Sequence, residues 1–376
     1  MRNRMIYADN AATTKLDTDA FEAMKPFLLE NYANPSQPYS FSRPVKEAIK
    51  SARQIIAGCI NAAPDEIFFT SGGTESDNWA IKGTALHYND FRVTLTTQIE
   101  HHAVFRACEA VETLGFPVVY MFVNKQGVLN PESLKSCIAE TTKLVSVMYA
   151  NNEIGSIQPI HDLCSVAHEF GALFHTDAVQ AVGHCDIDVK ELGIDMLSAS
   201  AHKFNGPKGI GFLYVKHGTK LNPLQNGGSQ EAGMRAGTEN VASIVGMAVA
   251  LQKNCSQIDE TKKRLGVLEE ILVDKLKAEQ IDFICNGSEN HLPGHLSLSF
   301  KNADGEALLH RLDLMGICVS TGAACDSKST QISHVLKAID LDENYAKGTI
   351  RISFGRDNTE EDAADIADAL IHILKK

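Results

Sequence analysis

The chain has 376 residues, 44% of them hydrophobic and 22% charged, with a formal charge of −12 at neutral pH. That length exceeds what one hydrophobic core usually serves, so a large domain with a smaller companion is expected, and no low-complexity tract points to disorder. The acidic balance, with no dense Lys/Arg run, argues against direct nucleic-acid binding, and no apolar stretch approaches a membrane span.

Residues 1–7 lack the continuous apolar run of a signal peptide, which makes the cytoplasm the expected compartment. The nine cysteines contain no C-x-x-C pair, so neither a disulfide scaffold nor a metal site is expected. Cys59, Cys108, Cys137 and Cys164 sit among apolar or helical residues, where inert packed thiols are the expectation.

Along the chain, short apolar runs repeatedly end in polar clusters. Ile67-Phe68-Phe69 leads into Thr70-Ser71-Gly72-Gly73-Thr74-Glu75, and Val93-Thr94-Leu95-Thr96 into Glu100-His101-His102. The run 144–149 precedes Asn151-Asn152-Glu153, Ala172-Leu173-Phe174-His175 precedes Asp177-Ala178-Val179-Gln180, and Ile194-Asp195-Met196-Leu197-Ser198 precedes Lys203. Strands separated by helical stretches predict parallel pairing, and ligands then bind beyond the carboxyl ends of the strands, where the five clusters share one edge. The interval from Asp177 to Lys203 leaves room for a crossover helix and a strand.

After Gly237-Thr238-Glu239-Asn240 a long helical stretch is predicted, with Leu265, Leu268, Leu272 and Leu276 forming an apolar stripe. Strand-like 295–300, helix-like 306–315, and strand-like 317–320 and 349–354 predict a smaller α+β domain. A final helix opens at Asn358-Thr359, with Asp362 in its first turn, and buries Ile366, Leu370 and Ile373. The expected division is a large domain over 16–255 and a small one built from 1–15 with 256–376, the latter carrying the Cys325 segment.

Ser200-Ala201-His202-Lys203 places a lysine on a polar turn directly after an apolar strand, where an amine can form a Schiff base with an aldehyde. Ser200 and His202 suit an anionic cofactor, and pyridoxal 5'-phosphate is the candidate. The turn 70–76, between a strand and a helix, can offer amides and hydroxyls to its phosphate. Asp177 can partner the ring nitrogen, Gln180 the ring oxygen, and His101 can stack on the ring or move protons. Cys325 lies in Gly322-Ala323-Ala324-Cys325-Asp326-Ser327, a small, polar stretch expected to form a mobile loop.

Taken with Ala8-Asp9-Asn10-Ala11-Ala12-Thr13-Thr14, Asn151-Asn152-Glu153-Ile154-Gly155, Gly233-Met234-Arg235-Ala236-Gly237-Thr238 and Ser320-Thr321-Gly322-Ala323-Ala324-Cys325, these motifs resemble the cysteine desulfurases of the nitrogenase and general iron-sulfur assembly type. That group lies within the class V aminotransferase family of fold-type I pyridoxal-phosphate enzymes. The resemblance, over nearly the whole chain, implies an α/β fold with a mostly parallel central sheet flanked by helices and a smaller α+β C-terminal domain.

It further implies that Lys203 binds the cofactor, Gly73, Thr74, Ser200 and His202 hold its phosphate, and Thr238 reaches the phosphate from the other subunit of a homodimer. Asn152 and Arg351 would take the carboxylate of L-cysteine, with Cys325 the persulfide carrier. The sulfur would pass to an acceptor protein such as an iron-sulfur scaffold or a tRNA-thiolating enzyme. Ala232, Ala323 and Asp326 depart from the family pattern, and these departures bear on acceptor choice and loop chemistry. Two other readings compete: a selenocysteine lyase or another class V enzyme, and a noncatalytic sulfur-assembly scaffold.

Overall fold

The computed structural model describes residues 4–88, 90, 92–321 and 332–375, so Cys325 and its expected loop lie outside the described residues. The N-terminal segment contributes β1 (Ile6–Tyr7), followed by α1 (Thr18–Leu29) and α2 (Arg43–Cys59). Strands and helices then alternate as β2 (Ile67–Thr70), α3 (Gly73–Tyr88), β3 (Val93–Thr97), α4 (His102–Thr113), β4 (Val118–Met121), α5 (Pro131–Cys137), β5 (Thr142–Ser146), α6 (Ile160–Glu169) and β6 (Leu173–Asp177). β7 (Met196–Ser200) and β8 (Gly211–Val215) complete the main sheet, and α7 (Val241–Cys255) and α8 (Ile258–Ala278) lead away from it. The remainder is β9 (Phe283–Asn286), β10 (His295–Phe300), α9 (Gly305–Leu314), β11 (Ile317–Cys318), α10 (His334–Ala338), α11 (Glu343–Ala346), β12 (Thr349–Ser353) and α12 (Glu360–Leu374).

The main sheet has the order β2-β8-β7-β6-β5-β3-β4. Apart from the edge strand β4, its strands are largely buried on both faces, and the two-residue alternation sorts their side chains between two cores. Leu144, Met196 and Leu213 point into a layer beneath α3 and α4 with Trp79, Val104 and Val111. Val145, Leu197 and Phe212 point the other way, into a larger core shared with Ile56 of α2, Leu163 of α6 and Met247 of α7. A third core joins Ile6 and Ala8 to Leu265, Leu268, Leu272 and Leu276 of α8 and to Ile366, Leu370 and Ile373 of α12. It covers the antiparallel sheet β12-β10-β9.

All five strands expected from the sequence run the same way. The exception is β8, a short apolar strand that pairs antiparallel with both β2 and β7. The expected crossover helix between Asp177 and Lys203 is absent. Residues 178–195 return as a series of turns, anchored by buried Ala181, Val182, Ile187, Val189 and Ile194, and this suffices to set β7 parallel to β6. The long helical stretch after Asn240 is two helices, α7 and α8, interrupted at Ser256-Gln257. Cys108 and Cys164 are packed as expected and Cys59 is half-buried, whereas Cys137 is exposed at the end of the short helix α5. The last helix is capped by reciprocal bonds between Thr359 and Asp362. Among the described residues no helix is long and apolar enough to cross a membrane.

Asp17 ties three regions together. Its carboxylate accepts from the amides of Asp19 and Ala20 at the start of α1, from Lys253 Nζ at 2.9 Å near the end of α7, and from Arg356 Nη1 beyond β12. Burial pushes this carboxyl up, but the Lys253 ammonium, the α1 amides and Arg356 together hold it below the usual carboxylate range. A carboxyl lowered in the folded state stabilises the fold above its unfolded value of about 4, and that contribution is lost as the pH falls below it. Asp17→Asn should therefore lower unfolding stability at pH 7 by about 1–3 kcal/mol. It should also flatten the loss of stability on acidification, as read from denaturant midpoints between pH 7 and pH 3; an unchanged pH slope would contradict this role.

Candidate active site

The carboxyl ends of β2, β3, β5, β6 and β7 open onto one cavity of about 550 Å3. On one side, β2 turns at Ser71-Gly72 into α3, whose first-turn amides have no partner within the helix. Gly73 is required here because a Cβ would fall against Val179 Cγ2. Glu75 braces the turn: its Oε2 accepts from Ser71 N at 2.7 Å, and both its oxygens are held by Arg235 at 2.8 and 3.1 Å. Burial pushes the Glu75 carboxyl up, yet Arg235 and Ser71 bring it below its ordinary value, so it stays a carboxylate.

His101 is the N-cap of α4, and its Nδ1 accepts from Ala103 N at 3.1 Å. That bond assigns the ring proton to Nε2. Burial lowers the imidazole below its usual range, with Lys203 and the neighbouring histidines adding to the effect against the pull of Asp177, so the ring is neutral at pH 7.

Asp177 ends β6, and its Oδ1 accepts from Val179 N at 3.0 Å. Burial raises this carboxyl above the usual value, while His101, the Val179 amide and Lys203 oppose the rise. Lys203 sits on the 3-10 turn that follows β7 and donates to the carbonyls of Ala11 at 2.6 Å and Ala12 at 2.9 Å. Gln180 Nε2 donates to the same Ala11 carbonyl at 3.0 Å. His202, pulled down to about 4 by burial with Lys203 and Lys208 nearby, lies 3.1 Å from Thr13 Oγ1 through Nδ1.

The far wall comes from the other end of the chain. Arg351, on β12, is 3% exposed; its Nη2 donates to Asp9 Oδ1 at 2.7 Å and its Nη1 to the Asn152 carbonyl at 2.8 Å. Its Nε, also buried, has no hydrogen-bond partner. The guanidinium lines the cavity and is the cation that a carboxylate there would face.

Gly73, Thr74, His101, Asn152, Asp177, Gln180, Ser200, His202, Lys203 and Arg351 all line this cavity. Thr238 does not. It is exposed and lines a neighbouring cavity of about 220 Å3 that shares Ser71 and Gly209 with the first. Cys325 lies outside the described residues. Sequence reasoning missed the Asp9–Arg351 pair, the Glu75–Arg235 brace and Asp77, a further lining residue. Asp9, Glu75 and Arg235 fall inside motifs singled out from the sequence and Asp77 directly follows one, but spacing alone carries no signal of the two pairs or of where Asp77 lies. Among the described residues no group of histidine, cysteine and acidic side chains could hold a metal ion. The arrangement offers an anion site at a helix start, an amine and an acid converging on one cavity, a neutral imidazole, and a second anion site at Arg351.

Comparison with known proteins agrees with this layout. Residues 6–366 match the family model described as aminotransferase class-V. Cysteine desulfurase IscS of Dictyoglomus turgidum is 47% identical over 375 residues, covering 99% of this chain and 95% of the relative. Its namesake from Methanosarcina thermophila is 44% identical, covering 100% of this chain and 93% of the relative. Among solved structures, a NifS-like protein superposes with a TM-score of 0.93 at 38% identity, covering 99% of this chain and 100% of its own. SspA in complex with cysteine gives 0.82 at 36% identity, covering 93% and 98%. The chain belongs to the class-V aminotransferase family.

Proposed function

We propose that this chain is a pyridoxal 5'-phosphate-dependent cysteine desulfurase. It converts L-cysteine to L-alanine and leaves the sulfur on Cys325 as a persulfide for an acceptor protein such as an iron-sulfur scaffold or a tRNA-thiolating enzyme. The observation that carries this reading is the convergence of Lys203, Asp177 and His101 on one cavity whose far wall is the buried, incompletely bonded Arg351. Relatives 44–47% identical bear the cysteine desulfurase name, which supports the same reaction over the selenocysteine and scaffold alternatives. The expected setting is a cytoplasmic homodimer, in which the exposed Thr238 of each copy would reach the phosphate bound by the other.

The cavity fits the cofactor. The space kept by Gly73, the free amides of α3, Thr74, Ser200 and His202 would hold the phosphate. Asp177 would face the ring nitrogen, His101 the ring, and Gln180 the ring oxygen, exchanging its bond to Ala11. Lys203 would carry the covalent link. When bound, the cofactor supplies the electron sink that acidifies the substrate Cα.

The protein's own side chains do the rest. Arg351 and Asn152, which both line the cavity, orient the L-cysteine carboxylate. Lys203 Nζ, within the same cavity, takes the Cα proton, a contribution of about 10²- to 10⁴-fold. The Cys325 thiolate attacks the substrate Sγ; the Cβ–Sγ bond breaks, an S–S bond forms on Cys325, and the remaining three-carbon unit regains its protons and leaves as L-alanine.

Mass spectrometry after incubation with L-cysteine should find one added sulfur on the peptide containing Cys325, with L-alanine released. Cys325→Ser and Lys203→Ala should each abolish the reaction, and undiminished desulfuration by Cys325→Ser would overturn the assignment. A protein that stays colourless after reconstitution with the cofactor would favour the scaffold reading.

The carboxylate site makes a separate prediction. Arg351→Lys, which keeps the charge and loses the planar fork, should raise KM for L-cysteine by about tenfold or more with a smaller effect on kcat. An unchanged KM would remove Arg351 from the substrate site.

A further inference from the structure

Behind Asp177 the sheet is both dry and polar. The alternation of side chains puts His175 on the same face of β6 as Asp177, and the strand register sets Ser198 beside Asp177 and Ser146 beside His175. His175 is fully buried, with Nδ1 2.9 Å from Ser146 Oγ and Nε2 3.0 Å from Ser198 Oγ. Burial pulls its imidazole down to about 3, so it is neutral. α3 lies across this face and delivers Asp77, which is 1% exposed and also lines the cavity. Asp77 Oδ1 stands 3.7 Å from His175 Nε2, too far for a hydrogen bond, and has no hydrogen-bond partner.

Two carboxyls therefore share one buried region without counter-charge for both. The titratable groups that Asp77 meets are acids, Asp177 from β6 and Glu100 from the end of the β3 loop, while His175 is neutral and Ser198 offers only a hydroxyl. Asp177, by contrast, has an amide donor in Val179 and feels both His101 and Lys203. Two buried acids that each raise the cost of ionising the other do not both ionise readily, and a buried carboxylate oxygen with no donor is far costlier than the same oxygen in a neutral acid.

We propose that Asp77 holds the proton of the pair, so that a neutral acid packed on Ser198 and His175 keeps Asp177 as the ionised member. Asp77 is then a positioning residue that acts through Asp177. Its protonation rests on its burial and on the unpartnered Oδ1, and only its effect on the reaction rests on the functional reading above.

Infrared difference spectroscopy on the enzyme as isolated decides the protonation. Asp77→Asn should lose one C=O stretch of a protonated carboxyl relative to the wild type; Glu100, pushed up to about 8 by burial, contributes its own band to both proteins. A difference spectrum without that loss overturns the proposal. In the cofactor-loaded enzyme, Asp77→Ala should lower kcat by about tenfold and Asp77→Asn should restore most of it, because an amide has the shape and neutrality of the acid. The pH midpoint of the visible absorbance band should move by less than about 0.3 unit in Asp77→Asn, whereas removing a buried negative charge at this distance would move it by more than about 1 unit. The larger shift, or an Asn variant no better than Ala, overturns the positioning role. A protein that takes up no cofactor sinks the functional reading, and the infrared result still decides Asp77.

Discussion

A carboxylate at the inner end of a buried strand is expensive to ionise, and most of this cavity can be understood as the means by which Asp177 does so. Its surroundings raise it through burial and lower it through one amide and two nearby basic groups. Those basic groups come from separate strand ends: His101 caps α4 after β3, and Lys203 follows β7. A parallel sheet is suited to this because it delivers the ends of strands distant in sequence to a single edge. The reversed strand β8 preserves the arrangement, since it begins at that edge and lets β2 run parallel to β7 across it. Gly211, its first residue, packs directly beneath the Gly72 turn, where a Cβ would meet Gly72 Cα at 2.8 Å.

The second wall is a strap. Residues 9–14 are pinned by Ala11 N to Ser353 Oγ at 2.9 Å, by Thr14 to the His202 carbonyl at 2.8 Å, and by the Tyr7 hydroxyl to the Asp9 and Thr13 carbonyls at 3.0 and 2.8 Å. The strap in turn supplies the carbonyls that hold Lys203 and the carboxylate that holds Arg351. One short segment thus sets the position of a cation on each side of the cavity. The ion pair between Asp9 and Arg351 is buried on the arginine side, so its worth lies less in stability than in fixing where the guanidinium edge points.

The strand ends were legible in the sequence because a buried parallel strand is a short apolar run, and each such run here stops at polar residues. That pattern placed Asp177, His101 and Lys203 on one edge, and helical periodicity found the leucine stripe of α8. Other features were not legible. β8 is a short apolar run that also stops at polar residues, Lys216-His217, so the pattern that marks the other strands carries no sign of its reversed direction. The stretch from 178 to 195 has the length of a crossover helix, but its backbone is turned and its apolar residues are spent anchoring those turns. Asp9 and Arg351 are separated by 342 positions and meet because the N-terminal segment lies beside β12, a neighbour relation no local pattern encodes. Asp77 reads as an ordinary polar residue of a helix until the helix is laid on the sheet.

The strap also has a consequence for how the protein is made. Residues 9–14 leave the ribosome well before the groups that fasten them and their neighbour Tyr7, which belong to Gln180, His202, Ser353 and Asn358, the last of which holds the Tyr7 carbonyl at 3.1 Å. During synthesis this segment must wait, unanchored, until residues 353 and 358 have emerged. The central sheet can be assembled earlier, but the lysine pocket acquires its roof only once β12 and Asn358 have emerged, so capture of a small molecule there follows assembly of the sheet.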